Sequence, residues 1–287
     1  MKPFIFLLII LPALCTFSCQ KKVDWLVDPV TKDVLDSNRH QINTTELLTR
    51  MEAITGNETL KTNFIYDRRS NLLSEHHTGI ENGVAVDSYK KYYRDTTGKI
   101  IKIAAKSKQD ADTVYTAVVY DDFYTHTFLY TLSNFKIQGK VVRDSIIYVY
   151  DGNGHIGIQK IFRRKDTGMY GLYEQHEFSY SGSNLVVVKD FVDSSNTAIL
   201  VVAGIRHFTY DTRINPLQLN NEAVLTGKPE SASANNLIAI ELENKQSPTN
   251  NFKVENKLFY SINRKPTYGT STKSPQGSVT RVTYYYK

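Results

Sequence analysis

Two hydrophobic periods divide this chain. Between Thr44 and Ile54, apolar residues recur at helical spacing. Leu47, Leu48, Met51 and Ile54 fall on one face, Asn43 is placed to cap with Glu46 three positions on, and Gly56 stands where a helix stops. The pattern predicts a short helix over residues 43–56. From about residue 60 the period changes to two, the mark of strands with one buried face, and it continues to residue 287.

Within that second region Tyr66, Tyr93, Tyr120, Tyr150, Tyr180 and Tyr210 follow one another at intervals of 27, 27, 30, 30 and 30 residues. Such regularity marks a repeated supersecondary unit. Phe64, Tyr148, Phe178 and Phe208 precede their tyrosines by two, so both rings share one face of a strand. The strand then ends. Asp67, Asp151 and Asp211 directly follow a tyrosine, Asp95 follows by two, and Asn71, Gly98, Gly154, Asn184 and Asn215 lie four or five positions beyond it. Aspartate bonds its own backbone to open a turn, and Gly or Asn accepts the positive φ of a short loop. These residues are read as turn builders.

A second set of turn signals lies midway between the tyrosines: "ENG" at 81–83, "DAD" at 110–112, "QG" at 138–139, "DTG" at 166–168 and "DSSN" at 193–196. Each unit is therefore a pair of strands with a turn at each edge. With "KVENKLFYSI" and "SVTRVTYYYK" the region holds about 12–15 antiparallel strands, more than a twisted open sheet carries without curling or closing. The expected fold is all-β in the main, an antiparallel meander over 60–287, strongly curved or closed into a barrel-like sheet. The Tyr120 unit lacks its Gly/Asn turn, and an irregular segment at 215–237 interrupts the series.

The amino terminus adds a compartment. "MKPFIFLLIILPALCTFSCQKK" has Lys2, an apolar run from Phe4 to Leu14 and a small residue before Cys19. Residues 1–18 read as a secretory signal peptide, whose apolar run is too short to span a bilayer. Thr16, Phe17 and Ser18 before Cys19 resemble a relaxed bacterial lipobox of the Bacteroidetes type. That resemblance implies an S-diacylglycerol and an N-acyl group on Cys19. Two or three chains at about 0.8 kcal/mol per buried methylene hold a protein on a membrane stably. Residues 19–42 are then a lipid-anchored tether, the membrane is a partner through the anchor, and no thiol remains for a disulfide. Gln20, in place of aspartate after the cysteine, points to the outer membrane, on its periplasmic face or at the cell surface.

Composition supports a packed domain: 41% of residues are hydrophobic, with 19 tyrosines and 13 phenylalanines. The formal charge of +6 is scattered, apart from "RRK" at 163–165. Without a nucleic-acid-binding motif, and behind an export leader, that charge reads as solvated surface and no nucleic-acid partner is assigned.

Candidate chemistry is sparse. "DGNGH" at 151–155 starts like a calcium loop, yet Phe162 occupies the position that needs an acid; a hairpin turn explains it better. Glu174 and His176 share a strand face, but two ligands fall short of the three a catalytic zinc requires. His76 and His77 point to opposite faces and read as surface residues. No Gly-x-Ser-x-Gly elbow, phosphate loop or dinucleotide fingerprint occurs. No catalytic residue, metal or cofactor is assigned. The aromatic faces either pack as core, the commoner outcome, or stack a sugar ring or hold an apolar ligand.

"FIYDRRSNLL", "YYRDTTGKIIKI", "YVYDGNGHIGI", "FSYSGSNLVVV" and "FTYDTRINPLQL" resemble the tyrosine-aspartate (YD-like) repeat units of an uncharacterised Bacteroidetes lipoprotein family with a porin-like β fold. The order of units is similar too, with Asn215-Pro216, an irregular stretch holding Asn235 and Asn236, and a closing "RKPTY". The resemblance covers roughly residues 60–287 and implies a fold and a compartment but no activity. A lipid-embedded barrel is disfavoured, because Lys90/Lys91 and Arg163/Arg164 each place one cation on the outer face, where a bilayer would charge about 2–4 kcal/mol. The functional expectation is a lipid-anchored outer-envelope protein acting as a non-enzymatic binding or structural module. The alternatives are a glycan-binding surface protein, or an envelope hydrolase acting on glycan or peptide, which requires His and Asp or Glu to converge in a cleft.

Overall fold

The computed structural model describes residues 47–287 apart from 109, 111, 122–126, 138–139, 166–167, 194–198, 220 and 263. The expected leader, Cys19, the expected 19–42 tether and part of the expected midway turns lie outside the described residues. Sixteen strands follow in order: β1 (Leu48–Thr55), β2 (Glu58–Tyr66), β3 (Leu72–Glu81), β4 (Val84–Arg94), β5 (Ile100–Ser107), β6 (Val114–Tyr120), β7 (Phe128–Ile137) and β8 (Lys140–Tyr150). The second half comprises β9 (Ile156–Lys165), β10 (Gly171–Ser181), β11 (Asn184–Asp193), β12 (Leu200–Ile214), β13 (Asn235–Asn244), β14 (Phe252–Tyr260), β15 (Pro266–Ser274) and β16 (Ser278–Tyr286). Each pairs antiparallel with its neighbours in sequence, and β1 pairs with β16 to close a barrel. Closure removes the free edges of so large a sheet.

The expected helix over 43–56 is corrected. Residues 48–55 form β1, with Met51 paired to Thr62 and Tyr284, and Ala53 to Leu60 and Val282. Closure is the physical reason: β16 and β2 each need a partner along this segment, and their ladders outweigh a weak helical period. Met51 and Ile54, neighbours on the hypothetical helix, point to opposite faces of the strand.

Five tyrosines of the series sit at a shift of register; in the second unit Arg94 takes that place opposite Ile100, and Tyr93 faces outward. Ile65 faces Ser74 while Tyr66 faces Leu72; Val149 faces Ile158 while Tyr150 faces Ile156; Ser179 faces Val187 while Tyr180 faces Leu185. Each unit thus leaves one extra residue on the strand after its turn, a β-bulge repeated around one rim. The bulge turns both the tyrosine and the aliphatic residue across from it inward. Leu72, Ile156 and Leu185 are consequently buried to 3% exposure or less.

The turns joining these strands are built by their aspartates. The carboxylates of Asp67, Asp95 and Asp151 each accept backbone N–H groups two and four residues ahead, at 2.8–3.0 Å. Gly98 and Gly154 carry the positive φ, at 93° and 81°; in the first turn Ser70 does so at 62°, and Asn71 instead donates its side-chain amide to Asp67. Asn184 lies within β11, its turn using Gly182, and its amide is bonded to Asn235 at 3.0 Å. Asp211 also lies within a strand, accepting from the backbone of Arg213 and Asn236 and from the Tyr260 hydroxyl. Asn215 opens the long connection, its Oδ1 accepting from Leu217 N at 2.9 Å.

At the opposite end β2 crosses close to β3. Gly79 has φ of 140°, and a Cβ added there would lie 2.0 Å from the Thr59 carbonyl oxygen. Gly79→Ala is expected to lower unfolding stability by about 1–3 kcal/mol, read as a lower urea midpoint with unchanged slope; an unchanged midpoint would contradict this close crossing.

Candidate functional site

Residues opposite one another on paired strands share a face. The face holding Phe64, Tyr92, Tyr148, Phe178 and Phe208, each at most 8% exposed, is the inner one. A sixteen-stranded barrel is too wide for its own side chains to meet across the axis. At the tyrosine rim the gap is filled by the connection between β12 and β13. This segment carries a short helix, α1 (Glu222–Thr226), and a 3₁₀ turn at Pro229–Ala232. Ala223, Val224, Ser231 and Ser233 are buried, and Leu217, Leu219 and Leu225 pack on the core cluster with Tyr66, Tyr120, Tyr150, Tyr180 and Tyr210. Where Leu219, Glu222 and Thr226 meet Leu72, Tyr92, Arg94 and Ile100, no space for a water molecule remains. The connection is a plug.

Polar bonds fix the plug to the wall. Arg94, its side chain 6% exposed, grips the Glu222 carboxylate with both Nη atoms at 2.9 and 2.8 Å and also donates to the Leu72 and Gly98 carbonyls. Lys90 Nζ donates to the Thr226 carbonyl at 2.5 Å. Glu75, 2% exposed, accepts from Tyr92 Oη and from the plug's Lys228, both at 2.6 Å, with His77 at 3.5 Å. Burial pushes the Glu75 carboxyl up, but bonding to His77, Lys228 and Tyr92 outweighs it and holds the group at about 2. Across the barrel, Asn221 reaches the Gly154 carbonyl and Ser233 Oγ accepts from Leu185 N.

Beyond the plug, the inner wall carries a second set of charges. Asp144 takes a two-pronged bond from Arg163 at 2.8 Å, and the same guanidinium lies 3.8 Å from the Tyr173 ring centre. Asp190 is held by Arg206 at 2.8 and 3.0 Å and by His176 Nδ1 at 2.7 Å, while His176 Nε2 lies 3.7 Å from Glu174. Burial raises the Asp190 carboxyl, and its bonds to His176 and Arg206 bring it below the usual range. Glu174 and Arg206 each keep 29% of their side-chain surface exposed although they face inward, so water enters the barrel here. The arrangement is a cup: sealed at the tyrosine rim, wet and charged above it.

The structure brings Glu174 and His176 together with Asp190 and Arg206, partners that lie on other strands. Among the described residues no group of three His, Cys, Asp or Glu side chains is arranged to hold a metal. In "DGNGH" the Asp151 carboxylate is occupied by the amides of Asn153 and His155. His77 faces inward, bonded to Thr62, and His76 outward, bonded to Asp87 at 2.9 Å. The Phe64/Tyr66-type pairs lie in the packed core and not on a free face. A depression of 520 Å³ on the outer wall, lined by Glu52, Asn57, Thr59, Lys61, Thr78, Gly79 and Ile80, lies apart from both charge clusters.

Sixteen antiparallel strands in one closed cycle are the architecture of a bacterial porin. The barrel is porin-like in fold. It is similar to a porin-like protein from Bacteroides uniformis, at 9% identity and a TM-score of 0.51, over 85% of this chain and 98% of that one. A porin-like protein from Bacteroides vulgatus is similar at 13% identity and a TM-score of 0.51, over 84% of this chain and 98% of that one. No family model and no curated protein matches the sequence, so the likeness is one of fold alone.

Lys228→Met leaves Glu75 buried with only Tyr92 and His77, and stability is expected to fall by about 1–3 kcal/mol. Because Glu75 is depressed in the folded state, its contribution is present above the unfolded value near ~4.3 and is lost as pH falls toward about 2. The Lys228→Met deficit should therefore shrink between pH 5 and about 2 in urea titrations; a deficit independent of pH would place the loss in packing instead.

Proposed function

We propose that this chain is a lipid-anchored outer-envelope protein whose barrel stands in water and works as a non-enzymatic binding or structural module. The observation that carries this reading is the outer face of the barrel. Lys61, Lys91, Lys102, Lys160, Lys189 and Lys257 point outward along the strands, each on the face opposite the buried aromatics. At mid-height in a bilayer each would cost about 2–4 kcal/mol. A barrel of this kind needs an anchor outside itself, which the acylated Cys19 supplies. The described chain begins beside its own carboxyl terminus, where Leu47 and Lys287 exchange backbone hydrogen bonds at 3.2 and 3.0 Å at the plugged rim. The tether thus joins the barrel at its sealed end. The tyrosine-aspartate units and the lipobox-like leader support the same reading through the lipoprotein family they resemble.

The plug argues against a through-channel, and the charged inner wall favours a polar ligand of the glycan class over an apolar one. His176 between Asp190 and Glu174 is the one feature that favours the second reading, an envelope hydrolase acting on glycan or peptide. Asp190, however, is committed to Arg206 as well as to the histidine.

Fractionation tests the anchor. After a wash at about 0.5 M salt, which removes charge-held protein, the parent chain is expected in the outer-membrane fraction and Cys19→Ser in the soluble one; Cys19→Ser retained in the washed membrane would contradict lipid anchoring. Thermal-shift measurements on the chain from Gln20, against glycans, lipids and divalent metals, test the cup. Stabilisation by a glycan that survives His176→Gln supports binding without catalysis, whereas glycan turnover abolished by His176→Gln favours the hydrolase.

A further inference from the structure

Outward-facing charge is divided unevenly around the barrel. On β4 to β9 the outer face carries Lys91, Lys102, Lys106, Arg143, Lys160 and Arg164, together with Lys136, which pairs with Asp112 at 3.0 Å. Among the described residues the outward acid on these strands is Asp87, itself bonded to His76. On the far side of the barrel Lys189, Lys253 and Lys257 alternate with Glu177, Glu241 and Glu255. The excess of positive charge is therefore gathered on one wall.

Like charges are brought together at two places on that wall. Arg143 stands directly across from Arg164, a like-charge pair that weakens strand pairing. Lys91 and Lys102 both lie over the Tyr93 ring, at 4.8 and 4.7 Å, and Lys102 also lies 4.7 Å from the Tyr115 centroid. The rings hold the ammonium groups in place on the surface. Between the cations the outer face exposes Val141, Ile147 and Val149, each about two-fifths open to solvent. An anionic partner relieves the repulsion, and the aliphatic side chains tell which kind. A basic surface with interspersed aliphatics and tyrosines matches the boundary of an anionic bilayer. A glycan is the poorer fit, because a barrel wall is convex and the Tyr93 face needed to stack a sugar is covered by lysine.

We infer that the outer wall of β4–β9 docks on a phosphate-bearing lipid surface, laying the barrel on its side against the membrane. This contact is independent of acylation at Cys19. It adds an orientation: the cup then opens parallel to the membrane plane, while the tether leaves from the other end.

The test is flotation of the purified chain from Gln20, which lacks the acylated residue and retains all sixteen strands and the plug, with lipid vesicles. Co-flotation is expected with phosphatidylcholine vesicles containing phosphatidylglycerol and not with phosphatidylcholine alone, and it should disappear at about 0.5 M salt. Arg143→Glu/Arg164→Glu should lower the bound fraction on the order of tenfold, while Lys253→Glu/Lys257→Glu on the balanced wall should not change it. Arg143→Gln/Arg164→Gln is the control for folding. It should melt no lower than the parent, since it removes a like-charge pair, and it should still bind less. Failure of the parent to float, equal flotation with neutral vesicles, or equal loss in both charge-reversal variants overturns the inference. Binding to a soluble anionic polysaccharide without flotation also overturns it and assigns the wall to a glycan.

Discussion

Packing of the tyrosine rim against the inserted 215–234 connection is the interaction on which the rest of this barrel depends. Sixteen strands close on themselves without a free edge, but closure leaves a lumen that strand side chains alone cannot fill. The repeated bulge answers part of that problem by facing a ring and an apolar side chain inward at most units, as at Tyr66 with Leu72 and Tyr150 with Ile156. The plug answers the remainder with Leu217, Leu219, Val224 and Leu225. Apolar surface at that rim is thereby removed from water, and the barrel gains a solid end.

Charge is organised around the same division. Arg94 with Glu222, and Glu75 with Lys228, place ion pairs where the plug meets the wall, so the orientation of the plug is specified as well as its burial. Losing one partner strands the other in a dry site. Above the plug, Asp190, His176 and Arg206 lie in water that enters the cup, and there their value is in what they present to a ligand. Outside, the wall mixes lysines with exposed aliphatics such as Ile65, Val141 and Val149, and it is basic on one side. In the reading proposed above, a porin-like architecture is used by a chain whose barrel stands in water and whose membrane contact comes from a lipid and from one basic wall.

Much of the architecture was legible from the tyrosine spacing, because a strand pair with two turns has a nearly fixed length and the turn aspartates announce themselves. The bulge was not anticipated, although the recurring six-residue interval from Tyr66 to Leu72 and from Tyr150 to Ile156 carries it. The helix expected over 43–56 failed because three- and four-residue spacings of Leu47, Leu48, Met51 and Ile54 satisfy a helix locally, while the demand for a strand comes from β16, more than 200 residues away in sequence. The irregular character of 215–237 was visible, but its apolar residues gave no direction for the insertion. The ion pairs that fix the plug lay further out of reach: Glu75 and Lys228 are 153 residues apart, and one sequence holds no record of which distant charges meet.

The sealed rim has a direct optical signature. Burial raises the phenols of Tyr148, Tyr180 and Tyr284 to about 12, and those of Tyr66, Tyr92, Tyr120, Tyr150 and Tyr210 higher still. Since these groups ionise near 10 when unfolded, high pH favours the open chain. Ultraviolet titration of phenolate, followed together with far-ultraviolet circular dichroism, should show the rim tyrosines protonated past pH 11 and ionising only as the barrel unfolds. Reversible ionisation of all 19 tyrosines before any loss of strand signal would contradict a rim packed against its plug.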